Sequence, residues 1–556
     1  MRKFSSYGII NTSLHYYVPR TELIDKGQLS LVGEDPRIGG HYITVWAPRQ
    51  AGKSWVMAQT FKRLRAEPYA DQFDVLVLAL EHLKRETDVN SIIQSIADEI
   101  KKKLNIDDVE VNNSKQFQEL FEKAHLKKPL ILVIDEFDAL MNDAISVIAG
   151  VFRNIYNQRS FQEDLPTDEK DYLLHSVALI GVRAVLGIEN QSGSPFNVQK
   201  SLHIPNLTPD EVAEMFAWYE QESGQTVEKD VIERVYYETQ GQPGLVSWLG
   251  ELLTEEFNKH KSSITMRDFR IVYSKAINTL PNNTVLNIIS KAKDPKYKPL
   301  ILTMFQIAQK RPFRYDDPQT NYLYLNGVVG IEEHSDTLGR ALEESDDVDD
   351  WDEEEIMQYL KFPSPFIQKR LFNYFANEIF PEVGQIYKPF EDVSDTITDT
   401  ALHIKPLLQR YVTYLDENRS WLLKDAPRRA DLRLYEAVFH FSFYLFLSYF
   451  LRDPGGRVHP EFPTGNGHID LVIDYAGQRH GLELKSFSNQ FAYKKALVQA
   501  ADYGAQLKLN LIWLVLFVEV VDEANRRKYE VDYVDPKTGV IVRPAFVEVG
   551  LSKPPS

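Results

Sequence analysis

The sequence predicts a multidomain α/β protein, with a parallel sheet in its N-terminal half and a smaller α/β domain at its C-terminal end. Three observations carry this. The apolar run Leu130–Ile134 ends in two adjacent carboxylates, Asp135 and Glu136. A strand-like stretch, 41–46, runs into Ala47-Pro48-Arg49-Gln50-Ala51-Gly52-Lys53-Ser54. Far downstream, Asp470 and the pair Glu483 and Lys485 fall on two successive strand-like stretches. At 556 residues the chain exceeds what one core can organise, so three or four domains are expected.

Composition sets the outer bounds. The chain is 43% apolar and 26% charged, as in ordinary soluble proteins, and it has no cysteine. Disulfides and cysteine-based zinc sites are therefore excluded, and a reducing cytoplasm suits the chain. The apolar stretch 434–451 carries Glu436 and His440, both costly in a bilayer, so it reads as a buried helix and no membrane partner is expected. The formal net charge of −17 argues against wholesale coating of nucleic acid and leaves room for a local basic groove. Part of that excess is one run, 343–355, in which ten of thirteen residues are acidic. It reads as a solvated, disordered loop, with mimicry of nucleic acid as the sharper alternative.

Taken in order, residues 41–46 form a strand and a helix follows to about Arg65. Strand, loop and helix are the context that a phosphate-binding loop requires, and the segment matches G-x-x-x-x-G-K-[ST] except that Ala47 replaces the first glycine. The amides of Gln50, Ala51 and Gly52 cradle phosphate, Lys53 reaches the β/γ oxygens and Ser54 meets magnesium. Strands follow at 73–80, 130–135 and 173–181, separated by helices near 89–104, 114–125 and 143–157. This βαβ succession predicts a parallel sheet with helices on both faces. An apolar run without alternation reads as a central strand, and acids at its C-terminal end sit where such sheets bind ligands. Asp135 is expected to hold magnesium, and Glu136 to orient or activate water for attack on phosphate. Arg183, just after the fourth strand, is placed to reach a γ-phosphate from the side. The P-loop core is assigned to residues 1–205. Thr208-Pro209-Asp210-Glu211 then opens a helical lid, 206–262, in which Gln240-Gly241-Gln242-Pro243-Gly244 precedes an apolar helix. Pro243 either packs on the nucleotide base or simply starts that helix.

Residues 16–260 resemble the AAA-like ATPase domains of the signal-transduction (STAND) branch of P-loop NTPases. The matching pieces are Tyr17-Val18-Pro19-Arg20, the loop through Ser54, Val133–Asp138, Leu179–Arg183, Ser194–Asn197 and the Gly241-Gln242-Pro243 motif. The resemblance implies ATP with Mg2+ as cofactors, a part for Pro243 in holding the nucleotide, and an NTP-dependent switch that can form a homo-oligomer. Ala47 is the departure.

Residues 263–415 read as a winged-helix-like or helical module, with helices near 285–293 and 300–310, a short hairpin at 322–330, the acidic loop 343–355, and helices near 365–379 and 401–415. The last domain, 416–556, carries a second chemistry. A helix at 431–450 holds Glu436. A hairpin-like stretch at 457–462 comes next, and then the strand 468–475 carries Asp470. The strand 480–485 carries Glu483 and Lys485, a helix runs from about 492 to 507, and an apolar strand follows at 510–518. Residues two apart share a strand face, so Glu483 and Lys485 point together, and Asp470 on an adjacent antiparallel strand can meet them. Converging carboxylates bind magnesium or manganese, and a lysine beside them can hold the attacking water or neutralise phosphate. Glu436 can complete the ligand set.

This order resembles the PD-(D/E)XK nuclease superfamily, and in particular nuclease domains fused to AAA-like ATPases in bacteria. The resemblance makes Glu436, Asp470 and Glu483 the metal ligands, and Asp470, Glu483 and Lys485 the catalytic set. Gln499 and Tyr503 match a Gln-x-x-x-Tyr pair common there, and His468-Ile469 replaces the proline before the aspartate. The function expected is an ATP-regulated, Mg2+- or Mn2+-dependent nuclease acting on nucleic acid, DNA ahead of RNA, in defence against phage or mobile elements. The alternative is a STAND-like signalling or assembly scaffold with a non-cleaving nucleic-acid-binding module.

Overall fold

The buried run Leu130–Asp135 sits inside a five-stranded, all-parallel sheet, and the faces of that strand explain the layering around it. Leu130, Leu132 and Ile134 point into one apolar core, while Ile131 and Val133 point into another. A strand apolar on both sides needs helices on both sides. The computed structural model describes residues 1–556 except 7, 9, 49, 108, 182–199, 306–310, 315–316, 333–357, 430–433, 462–469, 487–489 and 551–556, and except the side chains of Glu436, Glu461 and Asp470. The acidic run, Arg183 and Ser194–Asn197 therefore lie outside the described residues.

The chain divides into two units, 1–276 with 314–327, and 277–313 with 328–556. In the first, α1 (Thr21–Val32) precedes β1 (Tyr42–Trp46) and α2 (Lys53–Leu64). Then come β2 (Asp74–Ala79), α3 (Val89–Leu104), α4 (Ser114–Glu119), β3 (Leu130–Asp135), α5 (Asn142–Ser160), β4 (Leu174–Gly181) and β5 (Lys200–His203). The sheet order is β2-β3-β4-β1-β5, which leaves β1 with its following loop between β4 and β5. Helices α1 and α2 cover one face, and α3 to α5 cover the other. Local sequence sets the helix starts: Asp88 caps α3 through Ser91 N–H, and Asn113 caps α4. The helix expected at 114–125 stops at Glu119; Glu122 beyond it forms a β-bridge with Tyr172.

The segment expected to form the lid folds as α6 (Pro209–Ser223), β6 (Thr226–Val227), α7 (Lys229–Thr239) and α8 (Pro243–Glu251), and α8 relaxes into a π-turn at Leu252–Glu256. Thr208 and Glu211 form a full capping box, as their spacing predicts. The short β7 (Ser263–Ile264) pairs with β6, and α9 (Met266–Asn278) follows.

The expected hairpin at 322–330 is replaced by a helix. After α10 (Asn283–Ala292) and α11 (Lys298–Met304), α12 (Pro318–Leu325) starts at Asp317, whose carboxylate accepts from Gln319 N–H, with Pro318 in the first turn. Alternating Tyr322, Leu323, Tyr324 and Leu325 suggest a strand by period, but the Asp-Pro start settles the stretch as a helix. The strand β8 (Gly330–Glu332) pairs instead with β9 (Tyr359–Lys361).

In the second unit, α13 (Pro365–Ile379), α14 (Ile404–Leu422) and α15 (Glu436–Phe450) lead into β10 (Arg457–Glu461), β11 (Asp470–Tyr475), β12 (Gln478–Ser486), α16 (Gln490–Gln506) and β13 (Leu511–Val518). The chain ends with α17 (Glu523–Tyr529), β14 (Tyr533–Val534) and β15 (Ile541–Glu548). The sheet order β10-β11-β12-β13-β15-β14 is mixed: antiparallel through β12, then parallel across β12, β13 and β15. The aromatic helix α15 is buried as expected, with Phe441 4.9 Å from Phe372 and Phe443 4.8 Å from Tyr411. Among the described residues no helix is long and apolar enough to cross a membrane.

Candidate functional site

Two of the described residues in the loop after β1 are left-handed. Gln50 has φ +58° and Gly52 has φ +91°, so the backbone reverses twice before α2 begins at Lys53. Alternation of hand turns successive N–H groups toward one concavity, the geometry of an anion nest. A Cβ on Gly52 would meet nothing within 4 Å, which leaves that concavity open. Ala47 is fully buried and is not among the left-handed residues, so the missing glycine costs no backbone strain there. Lys53 Nζ donates to the Ala47 carbonyl at 2.7 Å and to the Pro48 carbonyl at 2.9 Å, lying back along its own loop.

The two motifs meet. Ser54 Oγ donates to Asp135 Oδ2 at 2.9 Å, across 81 residues of sequence, and the other Asp135 oxygen accepts from Glu136 N–H at 2.9 Å. A hydroxyl and a carboxylate held together at a loop lined with amides are oxygen donors of the kind magnesium takes beside a nucleotide phosphate, so the residues fit the group. Ser54 and Asp135 would hold the metal, and the metal would neutralise phosphate charge. Glu136 is exposed beside them and sits in the left-handed region, at φ 57° and ψ 35°, a conformation costly for a non-glycine residue and common at functional sites. Asp138 packs on Gly181 at the end of β4, where a Cβ on the glycine would lie 2.8 Å from the carboxylate.

The lid touches the loop at Gly244, the residue after Pro243. Gly244 N–H donates to the Gln50 carbonyl at 3.3 Å, and a Cβ there would lie 2.3 Å from Gln50 Oε1. Pro243 takes the helix-starting place in α8, with Gln242 accepting from Leu245 N–H. Core and lid are pinned at their junction. Leu207 N–H donates to the Gly241 carbonyl at 2.8 Å, Asn206 Nδ2 donates to the Gln240 carbonyl, and Arg20 donates to the carbonyls of Pro205 and Asn206 at 2.7 and 2.9 Å. Tyr17, three residues earlier, packs tilted against Trp55 of α2 and Trp218 of α6, with ring centroids 5.5 and 5.3 Å apart. Another neighbour has no local sequence signal: Tyr324 of α12 edges onto Trp46, and Gly327 stands against Pro48.

In the second unit, register supplies the geometry. Asp470 is directly opposite Glu483 in the antiparallel pair of β11 and β12, so the two residues share a sheet face. Lys485, two residues on, shares that face, and its Nζ lies 2.8 Å from Glu483 Oε1. Both residues are buried, at 3% and 9% exposure, so this is a desolvated ion pair rather than a solvated one. Glu483 pairs with Leu514 and Lys485 with Leu516, and both leucines belong to the core under α16. Tyr503 of α16 is buried in that same core. Helix α15 packs on the opposite face, with His440 5.1 Å from Phe517 near the C-terminal end of β13. The backbone of Glu436 opens that helix. Glu483, with Asp470 across from it in register, supplies the oxygen-donor chemistry that a divalent ion takes. Among the described residues no three metal-binding side chains converge.

The first unit therefore has the parallel sheet and phosphate loop of a P-loop NTPase. Residues 8–264 match the AAA-like domain family, and this part of the chain is an AAA-like P-loop ATPase domain. No curated protein matches the sequence. Among solved structures the chain is similar to a Walker-type ATPase of Pyrococcus abyssi, at 15% identity, covering 66% of this chain and 99% of that one with a TM-score of 0.37. It is also similar to the Aeropyrum pernix Orc1 protein in complex with DNA, at 15% identity, 64% and 93% coverage and a TM-score of 0.32. A third is the Thermotoga maritima RuvB Holliday junction branch migration motor, at 14% identity, 55% and 82% coverage and a TM-score of 0.30.

Proposed function

We propose that the chain binds ATP with magnesium in its first unit and uses that site to regulate metal-dependent hydrolysis of nucleic acid by its second. The first half rests on the contact between Ser54 and Asp135 beneath an amide-lined loop. Lys53 leaves the Ala47 and Pro48 carbonyls for the phosphates, Glu136 orients water, and Arg183 approaches the γ-phosphate. The second half rests on one observation, the opposition of Asp470 and Glu483 with Lys485 on the same face. Asp470 and Glu483 hold magnesium or manganese, Glu436 adds a ligand, and Lys485 positions water or neutralises the phosphate.

DNA is the first substrate to test, with RNA second, and the cellular role proposed is defence against phage or mobile DNA in the cytoplasm. Assembly into a homo-oligomer would accompany ATP binding. The test is incubation of the pure protein with plasmid, linear DNA and RNA, with magnesium or manganese, with and without ATP. Metal-dependent cutting that changes with ATP supports the proposal. Binding of nucleic acid without cutting under every condition would favour a STAND-like scaffold with a non-cleaving module.

A further inference from the structure

We propose that the exposed face of α16 seats unpaired nucleic acid, with Phe491 as the stacking surface for a base and Lys494 and Lys495 on the neighbouring phosphates. The inference rests on the reading of the second unit as a nucleic-acid enzyme. Helix α16 has two unlike faces. Tyr493, Ala496, Leu497, Ala500, Ala501 and Gly504 are buried, mostly against β13. The opposite stripe brings out Phe491, Lys494, Lys495 and Val498, at the spacing that puts residues side by side on a helix.

Phe491 is 80% exposed, and its neighbours on that stripe are cationic. Both lysines are exposed and neither is paired with a described carboxylate. The helix carries one acid, Asp502, well past the aromatic end. The patch is thus locally cationic on a chain whose formal net charge is −17. Its position matters as much as its composition. Strand β12 ends at Ser486 and α16 begins at Gln490, so the first turn of the helix stands beside the end of the strand that carries Lys485.

An aromatic ring flanked by ammonium groups is the chemistry that recognises single strands. Every base offers a π-face, whereas a duplex hides those faces within its own stack. The lysines act on phosphate whether the bases are paired or not. A ring at the edge of the cleavage face would therefore select an unpaired segment or a frayed end.

The test is fluorescence anisotropy on the full chain in EDTA, which permits binding but not cutting. A labelled single-stranded DNA oligonucleotide and its duplex are the probes. Phe491→Ala should weaken single-strand binding by about fivefold or more, leave duplex binding unchanged, and be rescued by Phe491→Trp. Lys494→Ala with Lys495→Ala should weaken both probes and lower the salt slope of single-strand binding by about 1.4. Unchanged single-strand affinity in Phe491→Ala, or an equal loss on both probes, overturns this inference alone. Polyglutamate competing as well as DNA also overturns it, since the patch would then be a general anion surface. A wild type that binds neither probe overturns both this inference and the nucleic-acid reading beneath it.

Discussion

Replacing Asp135 by asparagine separates metal binding from the shape of the nucleotide loop. In the wild type one carboxylate oxygen accepts from Ser54 Oγ and the other from Glu136 N–H, each at 2.9 Å. Asparagine keeps one oxygen for Glu136. Its amide nitrogen donates, and the Ser54 hydroxyl can accept as well as donate, so the second contact survives with its direction reversed. The structural cost should stay near ~1 kcal/mol or less. What disappears is the negative charge that would face magnesium. A hydrogen bond or ligand contact to a charged group is worth roughly 1.5–3 kcal/mol, which corresponds to a drop in MgATP affinity of about ten- to hundredfold. Without magnesium the sign reverses, because the carboxylate then only repels phosphate. Isothermal titration of ATP with magnesium, and again with EDTA, reads both effects. The variant should bind worse than wild type with magnesium and at least as well without it. An equal loss under both conditions would mean that Asp135 acts through loop shape, and no loss with magnesium would remove it from the metal site.

Three further outcomes follow from the same geometry. Glu136→Gln should keep MgATP bound while slowing phosphate release by about a hundredfold; an unchanged rate would assign water activation to another residue. Gly241→Ala places a Cβ 1.9 Å from the Leu207 carbonyl at φ +68°, whereas Gly224→Ala has φ +71° with open space around it. The first should lose ~2–3 kcal/mol of stability and the second ~1–2 kcal/mol, from the left-handed backbone alone, and urea unfolding showing equal losses would contradict the tight junction between core and lid. Burial holds the His175 imidazole down at about 3, against 6.5 when free. The native ring stays neutral while the unfolded chain takes up a proton, so stability falls as pH drops from about 6.5 toward 3, by ~1.4 kcal/mol per pH unit. His175→Gln should flatten that slope in acid unfolding, and an unchanged slope would assign it to other groups.

Much of this arrangement was legible in the residues because its signals are local. The βαβ succession, the phosphate loop and the paired acids of β3 each need only a few neighbouring positions. The C-terminal register was readable for the same reason: strands of period two fix which residues share a face, and Glu483 and Lys485 lie two apart. The misses are where two local signals compete or where contacts are distant. Tyrosine–leucine alternation hid the Asp-Pro helix start of α12. Ala47 looked like a defect because the pattern asks for glycine, yet the left-handed turns fall at Gln50 and Gly52. The neighbours of the loop, Gly244 on Gln50 and Gly327 on Pro48, come from about 190 and 280 residues away. No periodicity marks them, since each is a close approach that only the folded chain creates.

The claim that joins the two halves is that Asp470, Glu483 and Lys485 form a metal-dependent cleavage centre. The most direct test sets wild type, Asp470→Ala and Lys485→Ala side by side, measuring DNA cutting and manganese binding on the same preparations. Both variants should stop cutting, Asp470→Ala should also lose manganese affinity, and Lys485→Ala should largely keep it, because an ammonium group is not a ligand. A wild type that cuts with manganese and an Asp470→Ala variant that cuts equally well would contradict it.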